Sequence, residues 1–121
     1  MARKTQYFEK AGLIRRELLK CATARPMEFP TYTEFGKRVG IPHQGPWAPV
    51  LDMIALEEKN NGFPDITFLV VRKDTHYPGQ IGFVRAKKPT PKQKERASVE
   101  VQRIVDKYNP GTANPYGSRR E

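Results

Sequence analysis

Apolar residues recur at spacings near three and four over residues 5–24, where Phe8, Leu13–Ile14, Leu18 and Cys21–Ala22 mark one face and Arg15, Arg16 and Lys20 fall on others. That period predicts an amphipathic helix. RPMEFP (25–30) should break it, because two prolines bias the chain around them toward extended backbone. A short helix, EFGKRV, is expected next, with Thr33 as its cap and Phe35 and Val39 four apart on its inner face. Gly40 suits its end and Pro42 forbids its continuation. A further helix is expected over 46–59, with Pro46 in its first turn. Its inner stripe would be Trp47, Val50–Leu51 and Ile54, with Ala55 beside it, and NNG (60–62) would close it.

The period then shortens. ITFLVV (66–71) is continuous and β-rich, as a buried strand would be, and RKDTHYPGQ carries turn chemistry. IGFVR (81–85) can return as the partner strand. Thr90 and Gln93 form a Thr-x-x-Gln capping box, with Pro91 at the first helical position. The helix it starts should run over 91–108, with Val99, Val101, Ile104, Val105 and Tyr108 as its apolar positions. The turn-rich NPGTANPYGSRRE (109–121) is expected to be a flexible tail. Helix, helix-turn-helix, β-hairpin and helix in that order predict an α+β fold. It would be a winged helix-turn-helix with added N- and C-terminal helices, forming one domain over 1–108.

The middle of the chain, TYTEFGKRVG…WAPVL…FPDITFLVVRKDTHYPGQIGF, resembles the C-terminal winged-helix domain of alkylguanine-DNA alkyltransferases and alkyltransferase-like proteins. The likeness covers residues 31–85 and implies a DNA-binding winged helix. It does not imply alkyl transfer. Val71 stands where that family has its reactive Cys, Arg72 where it has the partner His, and Gly45 near the place of its base-stack Arg. No thiolate–His pair can form at those positions.

Charge adds to this picture through its distribution. The formal net charge is +9 over 121 residues. Residues 1–25 carry seven Lys/Arg against two Glu, whereas 26–71 carry three basic against six acidic residues. Residues 72–96 then carry eight basic against two acidic. Two basic blocks flanking an acidic middle favour a polyanionic partner through counterion release. The candidate contacts are Arg72, Lys73, Arg85, Lys87 and Lys88 along the wing, with Arg15 and Arg16 widening the face. Gln44 and Tyr77 would supply any selectivity. Lys92, Lys94 and Arg96 in the first turns of the last helix oppose its dipole, which an anion nearby would relieve.

The helix over 46–59 offers only Lys59 against Asp52, Glu57 and Glu58, so it is expected to be more scaffold than reader. Those three acids suggest the alternative role, a protein-binding adaptor or inhibitor. A phage or mobile-element inhibitor of a host nucleic-acid-binding complex would be one example. Cys21 alone allows neither an intramolecular disulfide nor a Cys-cluster zinc site, and it is expected in the core. His43 and His76 are too few for a metal site. No cofactor and no enzymatic activity are expected. No apolar run approaches the roughly 18 residues of a membrane span, and MARKTQYFEK lacks the apolar core of a signal peptide. The resulting expectation is a cytoplasmic, non-enzymatic protein that binds duplex DNA.

Overall fold

A computed structural model describes residues 8–41, 47–81 and 89–116. Among them stand four α-helices: α1 (Ala11–Thr23), α2 (Tyr32–Val39), α3 (Trp47–Asn60) and α4 (Pro91–Tyr108). Two short 3-10 turns, Ile66–Leu69 and Gly79–Ile81, lie between α3 and α4.

The winged helix with its β-hairpin is not what the chain forms. The described residues contain no sheet, only two isolated bridges, one parallel between Thr31 and Val71 and one antiparallel between Val71 and Pro78. Most of the expected return strand, residues 82–85, lies outside the described residues. ITFLVV itself opens as a 3-10 turn. Asp65 caps it by accepting a hydrogen bond from the Thr67 amide at 3.0 Å, and the chain becomes extended only at Val70. The physical reason is position. Residues 66–71 are all buried, and the 3-10 turn packs against α1, α3 and α4 at the centre of the bundle. An apolar run surrounded by helices needs no sheet partner, and periodicity cannot separate that case from a buried strand.

The helices follow their stripes. On α1, Ile14, Leu18, Cys21 and Ala22 are fully buried. The cap of α2 is Thr31 rather than Thr33: its hydroxyl accepts from the Glu34 amide, and the Glu34 carboxylate accepts from the Thr31 amide. At the other end Gly40 adopts φ 74°, the left-handed conformation that ends helices, and its N–H bonds the Gly36 carbonyl. Lys10 sends its ammonium to the Val39 carbonyl at 2.8 Å, placing a cation where the dipole of α2 is negative. On α3, Trp47, Val50, Leu51 and Ile54 face inward as expected, and the fifth buried position is Glu58.

The capping box of α4 forms as read, with Thr90 and Gln93 bonding each other's backbone amides at 2.9 and 3.1 Å. Its inner face is Ala97, Val101, Ile104 and Val105, while Val99 is exposed. Beyond it, residues 109–116 of the expected tail are packed against the bundle. Asn109 is buried and donates to the carbonyls of Ala22 and Ala24 at 3.0 and 2.7 Å, and it accepts from the Thr112 hydroxyl at 2.8 Å. Asn114 donates to the Ser98 carbonyl at 2.8 Å.

Candidate nucleic-acid interface

The segment expected to be the wing begins as a tight turn. The Arg72 amide donates to the Tyr77 carbonyl at 2.9 Å, and the His76 amide to the Arg72 carbonyl at 2.8 Å. His76 takes φ 60° to close the turn. The Thr75 hydroxyl accepts from the Tyr77 amide at 3.1 Å. The C-terminal segment then pins the turn from outside. The Tyr116 hydroxyl donates to the His76 carbonyl at 2.7 Å, and its ring lies 4.8 Å from that of Tyr77 and edge-on to Phe29 at 5.9 Å. Burial raises the Tyr116 phenol well above its ordinary pKa, so it stays a donor.

Asn114 touches α4 at Ser98 while Tyr116 touches the turn at His76, so the C-terminal segment bridges the turn and the middle of α4. Lys73 is exposed on the turn, and Lys92 and Lys94 are exposed on the opening turn of α4. None of the three is in an ion pair among the described residues.

The other expected contacts divide. Arg72 is committed to Asp74, with its Nε and Nη2 at 3.0 and 2.8 Å from the two carboxylate oxygens, and this fork holds the Asp74 carboxyl down to about 2. Tyr77 is half-buried against Tyr116. Arg15 turns inward: its Nε lies 2.7 Å from Glu58, whose side chain is only 2% exposed, and that hydrogen bond raises the arginine further. Arg16, one residue on, is exposed. Arg85, Lys87, Lys88 and Gln44 lie outside the described residues.

The acidic docking face expected on α3 is reduced in the same way. Glu58 is buried against Arg15, while Asp52, which accepts from the Gln80 amide group at 3.0 Å, and Glu57 are exposed. Tyr32 sits between these elements, with its ring 6.0 Å from Trp47 and close against Gly79. Burial pushes its phenol up to about 12, against a smaller downward pull from Arg72.

Tyr116 is the residue that sequence reasoning missed. The only signal was an aromatic within a Pro/Gly-rich end, which composition alone assigns to loose chain. No three His, Cys, Asp or Glu side chains are grouped so as to hold a metal ion among the described residues. Cys21 is fully buried on α1, and desolvation pushes its thiol up to about 11, the opposite of an activated nucleophile. No described helix is long and apolar enough to cross a membrane.

Compared with known protein families, curated proteins and solved structures, the chain shows no match to any.

Proposed function

We propose that this protein is a non-enzymatic nucleic-acid binder that holds duplex DNA through its phosphates and works in the cytoplasm. An asymmetry in ion pairing supports the reading. The carboxylates of Glu17, Glu28, Glu58, Asp74 and Glu100 are engaged by Arg or Lys within the fold. Those of Glu34 and Asp65 cap helical turns. Lys73, Lys92 and Lys94, by contrast, are exposed and in no ion pair among the described residues, in the most basic block of the chain. A block in which eight Lys/Arg stand against two acids, residues 72–96, presents a positive field to a polyanion. The contacts are to the backbone of the nucleic acid and position it without reading sequence.

The test is fluorescence anisotropy with a labelled 20-base-pair random duplex across 50–200 mM salt. Charge reversal at Lys73, Lys92 and Lys94 together should weaken binding at least tenfold and flatten the log–log salt slope by roughly 3, about 1 per phosphate contact. Arg72→Gln should change affinity less than Lys73→Gln, because Asp74 already occupies the guanidinium. Equal affinity and equal slope in the triple variant would overturn the assignment of this face.

A further inference from the structure

A concave surface lies beside α4, next to the first turns that carry Lys92 and Lys94. It is an open groove of about 550 Å³ between the C-terminal half of α3 and the outer side of α4, within the size range of small-molecule sites. Its exposed apolar surface comes from Leu56 and Phe63, with the buried Phe68 behind them, and its cations from Lys59, Arg96 and Arg103. Leu56 is 58% exposed, one of the few large apolar side chains left in solvent. Arg96 stands over the Phe68 ring at 5.4 Å, so its guanidinium is held by a hydrocarbon face.

The two acids of the groove make hydrogen bonds within the fold, Glu100 to two other residues of the groove. Glu100 accepts from the Asp65 amide at 2.7 Å and from Arg103 at 3.1 and 3.2 Å. Asp65 accepts from both the amide and the hydroxyl of Thr67. Lys59 and Arg96 are in no ion pair among the described residues. The groove therefore combines an apolar body with a net positive lining, three cations against two acids.

We propose that this groove is a binding site for a small amphipathic anion, an aromatic or branched aliphatic body carrying a carboxylate, sulfonate or phosphate. The body covers Leu56 and Phe63, and the acidic group lies between Lys59 and Arg96. A charge-assisted hydrogen bond to either cation gives the orientation, and burial of the apolar body gives most of the affinity. The proposal is independent of nucleic-acid binding, which uses different lysines.

The probe is 8-anilinonaphthalene-1-sulfonate, with uncharged N-phenyl-1-naphthylamine as its matched control. Titration into the full-length protein should show one site, and amide shifts in a nitrogen-15 correlation spectrum should centre on Leu56, Gly62 and Phe63. Lys59→Glu with Arg96→Glu should weaken the sulfonate at least tenfold while the uncharged probe changes less than twofold. Amide shifts centred elsewhere on the wild-type protein would overturn the site without any variant, which covers the case of a variant that fails to fold. A folded double variant that keeps its sulfonate affinity, or loses both probes equally, would overturn the role of charge.

Discussion

The Arg15–Glu58 pair carries the clearest single-residue consequence. Glu58 is nearly inaccessible, so losing its partner leaves a buried carboxylate uncompensated, whereas replacing both removes the problem. Arg15→Met should therefore destabilise by about 3 kcal/mol, the low end for buried pairs because the guanidinium is partly hydrated. Adding Glu58→Met should recover most of that loss, read as the midpoint of urea unfolding. Stability that falls further in the double variant would show the pair to be a net attraction.

Tyr32 supplies a pH consequence whose sign follows from burial. Its phenol ionises near 12 in the fold against about 10 in an unfolded chain, so the folded state holds the proton longer. Its contribution to stability should thus be constant below pH 10 and be lost as pH rises from 10 to 12. Tyr32→Phe should make the alkaline decline shallower by that share, visible in thermal melts at pH 9 and 11. Arg15 also shows what a sequence hides: a basic residue on a helix face reads as surface, and only the neighbouring helix reveals that it faces a buried acid.

At the scale of elements, helices were legible and strands were not. Capping chemistry is local, so Thr90-Pro91-x-Gln93 marked the start of α4 to the residue, and Gly40 marked the end of α2. The cap of α2 was misplaced by two residues, although Thr31-x-x-Glu34 carries the same signature. ITFLVV was misread because burial on all sides looks alike in a sheet and in the centre of a helical bundle, and neighbours decide which one forms. With the hairpin went the view of Arg72 as a free wing contact.

In the segment after α4, Asn109 closes two carbonyls at the end of α1, a role composition does not announce. Asn109→Ala would remove the donor from the buried Ala22 carbonyl and the half-buried Ala24 carbonyl and should cost about 2 kcal/mol. Gly79 meets the same kind of packing constraint. A Cβ there would lie 2.2 Å from the Tyr32 hydroxyl and 2.9 Å from its ring, so Gly79→Ala should cost roughly 1–3 kcal/mol by overpacking. Tyr32→Leu should relieve part of it, and a double-mutant cycle in urea measures the coupling. Additive losses would mean that the 3-10 turn shifts away from α2.

For the whole molecule, the surplus of positive charge sets two opposed salt effects. A net charge of +9 repels itself, so in the free protein added salt should raise the melting temperature by screening that repulsion. Bound duplex reverses the sign. A ligand present at 100 times its dissociation constant stabilises the folded state by about 2.7 kcal/mol. For a chain this size that corresponds to a rise of roughly 10 °C. Salt releases the duplex, so in its presence the melting temperature should fall as salt rises, until the two curves meet where binding is lost. The comparison needs no variant and no label, only melts with and without duplex from 20 to 300 mM salt. Superimposed curves at every salt concentration would remove nucleic acid as the partner. Convergent curves whose low-salt gap is removed by charge reversal at Lys73, Lys92 and Lys94 but kept in Arg72→Gln would tie duplex binding to the turn and the opening of α4.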